Sequence, residues 1–148
     1  MTDQLLKHNL LKFIFHPFEI MGDNFIRYFI KQLVEGLKLF NIESFCHFDI
    51  KPPNILIFTN LVLKFSDFGL LRNPKEIEDE FENVKIPGGT HGYLTEEYFK
   101  REFVTSEVAR KQDYFALGLT LFFLKFGEPL LNYQKSDDPM INRTKYIE

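Results

Sequence analysis

Two short apolar runs, NILIF (54–58) and LVLKF (61–65), stand on either side of the pair Thr59-Asn60. Runs of this length around a two-residue polar link predict a β-hairpin. A hairpin returns the chain to its starting point, so the segments that flank it are forced together. Those flanks are HFDIKPPN (47–54) and SDFG (66–69). Asp49, Lys51 and Asn54 are therefore expected to face Asp67 across one small site.

Two carboxylates, a carboxamide and an ammonium suit a divalent cation bound to an anionic substrate. Oxygen ligands from Asn54 and Asp67 match Mg2+, a hard ion that takes few protein ligands and fills its shell with phosphate oxygens and water. Asp49 is left to orient a hydroxyl and accept its proton, and Lys51 to offset charge on a phosphoryl group in transit. With 45% hydrophobic residues and 18 Phe among 148, the chain has ample material for the core of one domain. A net charge of −3 gives no general attraction to nucleic acid or to an anionic membrane. The longest apolar run, Phe115 to Leu124, is too short to span a bilayer. The start of the chain, with Asp3 and Lys7, lacks the pattern of a signal peptide. The single Cys46, in an apolar context, predicts a buried, reduced thiol in an intracellular protein, cytoplasmic or nuclear.

Elsewhere the periodicity is mostly helical. Ile26, Ile30, Leu33, Leu37 and Phe40 recur on one face, with Arg27, Lys31, Gln32, Glu35 and Lys38 on the wet side, which predicts a helix from Asp23 to near Asn41. DYFALGLTLFFLKFG (113–127) predicts a buried helix stopped by Gly127 and Pro129. Residues 70–89, rich in acids and bounded by Pro74, Pro87, Gly88 and Gly89, predict an exposed loop. Residues 1–22 fit no single element, the tail is polar and irregular, and no linker divides the chain.

Four segments, in this order, resemble the signatures of eukaryotic protein kinases. HFDIKPPN resembles the catalytic loop H-R-D-L-K-P-x-N, and DFG at 67–69 is intact. GGTHGYLTEEY (88–98) resembles the stretch ending in A-P-E, with Thr95-Glu96-Glu97 in its place. DYFALG (113–118) resembles D-x-W-x-x-G, with Phe115 for tryptophan. The resemblance covers about residues 23–131. It implies the fold of the family's large C-terminal lobe, mainly α with a small β-hairpin. Residues 1–148 would then form a partial kinase domain without the smaller N-terminal lobe.

The resemblance also implies roles. Asp49 is the catalytic base, Lys51 contacts phosphate, Asn54 and Asp67 hold Mg2+, Leu56 lies beneath the adenine of ATP, and Thr90 hydrogen-bonds the catalytic loop. Lys51 together with Gly89-Thr90 is the serine/threonine type. Asp113 braces the loop's backbone, and His47 and Phe68 stack in an internal hydrophobic spine. Without that geometry, Asp113 would cap a helix N-terminus, His47 would be a packing histidine, and Phe68 and Leu56 would be ordinary core residues.

Phe48 departs from the pattern, which has an arginine there to receive a phosphate carried by the activation loop. Residues 70–89 contain no Ser, Thr or Tyr and carry Glu76, Glu78, Asp79, Glu80 and Glu82 instead. Acceptor and receptor are missing together, so no activating phosphorylation is expected within 70–89. The family's Gly-rich loop and its phosphate-pairing lysine have no counterpart before Asp23. The implied function is ATP- and Mg2+-dependent phosphoryl transfer to the serine or threonine hydroxyls of a protein substrate, weak or absent in this chain alone. Two alternatives stand beside it. One is a non-catalytic, pseudokinase-like module that binds a protein partner; the other is a half-domain completed by an N-terminal lobe in trans. None of the three involves nucleic acid or membrane.

Overall fold

The computed structural model describes residues 5–9, 23–76, 83–100 and 103–126. The helix stop assigned to Gly127 and Pro129 and the acids Glu78, Asp79, Glu80 and Glu82 lie outside them. The fold is mainly α with small antiparallel sheets, as the resemblance implies. Strand β1 (Leu5–Asn9) is followed by helix α1 (Asp23–Ile42), the hairpin β2 (Ile55–Phe58) and β3 (Leu63–Phe65), and strand β4 (Asn83–Lys85). Helix α2 (Glu96–Lys100), strand β5 (Phe103–Thr105) and helix α3 (Ser106–Phe126) complete the order.

Helix α1 buries Ile26, Phe29, Leu33 and Leu37 and leaves Arg27, Lys31, Glu35 and Lys38 exposed. Its end is set by Ser44, in a left-handed conformation (φ 61). Phe45 N–H donates to Phe40 O at 2.8 Å, and Ser44 N–H to Asn41 O at 3.1 Å. This is the paired closure of a Schellman cap, with serine where glycine is more usual. Gln32 belongs to the inner side instead of the wet one. Its carboxamide donates to Leu61 O at 3.1 Å and accepts Leu63 N–H at 2.9 Å, tying the helix to the start of β3. At Gly36 a Cβ would stand 2.9 Å from Phe65 Cε2, so helix and hairpin approach as closely as they do because that side chain is a hydrogen.

The hairpin is present, with Ile55 opposite Phe65, Leu56 opposite Lys64 and Ile57 opposite Leu63. Its turn is longer than the two residues expected: Phe58 N–H donates to Val62 O, and Leu61 takes φ 60. β1 adds a third, antiparallel strand beside β2. Alternation then divides the faces. Ile55 and Ile57 are fully buried in a first core with Leu33, Leu37 and Leu117, while Leu56 and Phe58 lie half-buried on the other face. Each such aliphatic side chain removed from water contributes about 1.5–3 kcal/mol.

A second core gathers Cys46, Phe48, Val84, Leu94, Tyr98 and Val104. It corrects the reading of 70–89 as an exposed loop. Val84 is fully buried, and β4 pairs with β5 through Asn83–Thr105, Val84–Val104 and Lys85–Phe103. Helix α3 serves both cores, through Ala109 in the second and Ala116, Leu117 and Leu124 in the first. It starts earlier than the expected Asp113, capped by Thr105, whose Oγ1 accepts Val108 N–H at 3.4 Å. Lys125 near its end pairs with Asp23 at the start of α1. Among the described residues no helix is long and apolar enough to cross a membrane.

Candidate functional site

The loop between the two cores is held from below by α3. Asp113 lies inside that helix, not at its cap. Its two carboxylate oxygens accept His47 N–H at 2.6 Å and Phe48 N–H at 2.8 Å. Burial pushes this carboxyl up to about 6, and the two N–H donors partly oppose the rise. Phe48 takes a left-handed backbone (φ 64), rare for a bulky residue, and its ring is buried against Tyr98 at a centroid distance of 6.0 Å. Ile50 is fully buried in the first core. Asp49 thus has one neighbour anchored in each core, which fixes the backbone from which its side chain projects.

Three side chains converge on the Asp49 carboxylate. Thr90 Oγ1 donates to Oδ1 at 2.5 Å, Asn54 Nδ2 to Oδ2 at 2.9 Å, and Lys51 Nζ pairs with Oδ2 at 2.8 Å. Lys51 Nζ also donates to Thr90 Oγ1 at 2.6 Å. Lys51 is extended before the turn Pro52–Asn54, whose two prolines fix the path into β2. The Asp49 and Lys51 side chains are only 12% and 20% exposed, so water screens their pairing less than it would on an open surface. His47 is a packing histidine with a defined tautomer. Nδ1 accepts Asp49 N–H at 3.3 Å, so Nε2 carries the proton and donates to Ser66 O at 3.1 Å. Burial lowers its pKa, in keeping with a neutral ring.

Asp67 joins through the hairpin. Ser66 N–H donates to Asn54 O at 2.9 Å, so the residue after Ser66 stands beside Asn54 as the two-strand geometry requires. Asp67 is exposed and left-handed (φ 62). Asn54 spends its Nδ2 on Asp49, including the backbone carbonyl at 2.9 Å, so its Oδ1 is the end suited to a cation. Among the described residues no three His, Cys, Asp or Glu side chains group as a metal cage. One carboxylate and one carboxamide fit an ion whose remaining ligands come from phosphate and water.

Leu56 lies on the outer face of β2, and Phe68 is 50% exposed, so neither is an ordinary core residue. Phe68 nonetheless meets His47 in a tilted ring contact at 5.5 Å and Phe40 edge-on at 6.2 Å, extending the aromatic group of Phe40, His47 and Phe65. Glu96 and Glu97 are exposed in the first turn of α2, where Lys100 pairs with Glu96. Of the residues singled out in the sequence, Asp49, Lys51, Asn54 and Thr90 form one network, and Asp67 follows Ser66, whose N–H binds the Asn54 carbonyl. Two contributors were given no role by the sequence. Tyr98 backs Phe48 and donates to Gly88 O at 3.2 Å, and Gln112 reaches the chain at Tyr93 and Thr95.

A family-wide sequence profile described as the protein kinase domain matches residues 3–148. The chain is similar to the probable serine/threonine-protein kinase FMP48 of Saccharomyces cerevisiae, 32% identical over 114 residues, which are 72% of this chain and 31% of that protein. Against the serine/threonine-protein kinase HAL4/SAT4 of the same organism it is 34% identical over 116 residues, 75% of this chain and 18% of the relative. Against the receptor-like kinase TMK2 of Arabidopsis thaliana it is 38% identical over 105 residues, 71% of this chain and 11% of the relative. The chain spans less than a third of each of these proteins. Profile, relatives and motif order agree: the chain belongs to the protein kinase domain family.

Proposed function

We propose that this chain is the catalytic-lobe part of a protein serine/threonine kinase. The observation that carries the reading is the convergence of Thr90, Asn54 and Lys51 on the single carboxylate of Asp49. A general base has to be oriented before it is useful, and three contacts shared between its two oxygens orient this one. Asp49 would accept the proton of a serine or threonine hydroxyl on a protein substrate. Lys51, already next to that carboxylate, would balance negative charge as phosphate moves. Asn54 and Asp67 would hold Mg2+, and Leu56 would lie under the base of ATP. Bound Mg·ATP supplies the phosphoryl group and neutralises much of its charge. Phe48, packed on Tyr98 where the family pattern has arginine, supports regulation without a phosphate on residues 70–89.

The test is the thermal midpoint of the protein with and without Mg·ATP, in the unaltered chain and in Asp67→Asn. A specific site raises the midpoint by mass action, and the variant loses that rise. No rise in the unaltered protein, or an equal rise in both, sinks the nucleotide site and favours a non-catalytic module that binds a protein partner. Where the rise is present, Asp49→Asn keeps it, and whatever phosphoryl transfer the unaltered chain supports is lost in the variant.

A further inference from the structure

Helix α3 carries two adjacent buried polar residues, Gln112 and Asp113, at 1% and 2% exposure, and they reach different loops. Asp113 takes the N–H groups of His47 and Phe48, just before Asp49. Gln112 donates from Nε2 to Tyr93 O at 2.7 Å and accepts Thr95 N–H on Oε1 at 2.9 Å. One carboxamide thus serves the C=O of one residue and the N–H two residues on, the pairing a neighbouring strand would offer. The connection continues toward the site. Tyr93 N–H donates to Thr90 O at 3.0 Å, and Thr90 Oγ1 donates to Asp49 Oδ1. Leu94, between the two clamped groups, is buried in the second core, so backbone and side chain are fixed at the same place.

We propose that Gln112 is a positioning residue: it holds the loop 90–95 against the catalytic loop so that Thr90 stays on Asp49. The proposal rests on the roles given above to Asp49 and Thr90, and it adds a residue that none of the four motifs contains. A carboxamide suits the task because it is neutral and offers one donor and one acceptor side by side. A carboxylate would serve Thr95 alone, and methionine, of similar length, would serve neither. Because the clamp is buried, each unmet partner is left without water to replace it.

The test is residue-resolved amide exchange on the whole chain. In Gln112→Met the Thr95 amide exchanges about tenfold faster, the loss of one buried hydrogen bond, with residues 90–94 following it. Amides of the hairpin 55–65 change by less than about twofold. Equal acceleration in loop and hairpin, or none at Thr95, overturns the proposal. Gln112→Glu supplies the second readout. On acidification the new carboxyl becomes neutral and regains a donor and an acceptor, so protection of 90–95 returns. Gln112→Met at the same pH removes the contribution of Asp113 and other titrating groups, and a Glu variant that shows no return counts against the clamp. Should both variants fail to fold, the unaltered protein still decides. The Gln112 side-chain N–H signals exchange slowly and show proximity to Tyr93 and Leu94, and rapid, free exchange overturns the assignment. None of these readouts uses nucleotide, so failure of the Mg·ATP shift and failure of the clamp are separate results.

Discussion

Asp113 sits where its charge is costly and its acceptors are indispensable. Its carboxyl is pushed up to about 6 from an ordinary 3.8. Between those values the folded chain holds a proton that the unfolded chain has released, so its contribution to stability falls as pH rises through the window. His47 acts in the opposite sense: burial lowers its pKa below the ordinary 6.5, so its contribution is lost as pH falls from there. Asp113→Asn removes the first effect and keeps the second. It costs about 1–3 kcal/mol overall, because the amide turns a donor toward one of two N–H groups. Relative to the unaltered protein, the variant recovers stability as pH rises from 3.8 to about 6. Urea unfolding across that range checks it, and a pH-independent difference contradicts it. Phe48→Arg places a cation among Cys46, Val84 and Tyr98 with no phosphate to meet it. The expected cost is about 3–5 kcal/mol, read from the same unfolding curves. At this scale the sequence was informative where chemistry resides in side-chain type: Asp49, Lys51 and Asn54, which the structure joins by direct contacts, could be grouped from residue types and a hairpin alone. Thr90 entered only through the family resemblance. Gln112 stayed hidden because its partners are backbone atoms of Tyr93 and Thr95, which any residue type would present.

Among the elements, those with local causes were legible. Helix α1 follows from its apolar period, and the hairpin from two runs around a polar link. β4 was not legible, because Asn83–Lys85 is too short to show alternation and its partner, Phe103–Thr105, is far along the chain. The first turns of α3 were missed for a related reason: SEVARKQ is polar enough to read as loop, although Ala109 and Gln112 are buried. The turn into the loop 90–95 shows how tightly these elements pack. Gly89 has φ +145, and a Cβ there would stand 3.0 Å from Phe48 O and 2.6 Å from Leu94 Cδ2. Gly92 has φ +88 with nothing within 4 Å. Gly92→Ala therefore meets only the backbone penalty, about 1 kcal/mol. Gly89→Ala adds clashes with the Phe48 carbonyl and the buried Leu94 side chain, and costs about 3 kcal/mol. Equal costs for the two would show that the loop yields at Gly89 instead of being packed there.

For the molecule as a whole, the decisive arrangement is one helix threading two cores, with the Asp49 loop suspended between them. The first core joins α1, the hairpin and the later turns of α3; the second joins β4, β5, α2 and the earlier turns. A shared rigid element makes the two cores unfold together, since neither keeps its wall when α3 frays. Gly118 offers a way to test this without touching either core. It lies in the interior of α3, exposed, with nothing within 4 Å of a Cβ built on it. Gly118→Ala should stabilise the helix by about 1 kcal/mol, through the lower backbone entropy of alanine in the unfolded chain. If α3 couples the cores, that gain appears equally in the slowest-exchanging amides of the hairpin 55–65 and of the segment 83–94, and in one urea transition followed by either region. A gain confined to one of them would mean two units that open independently. Asp49 would then be held by neighbours that do not keep their places at the same time.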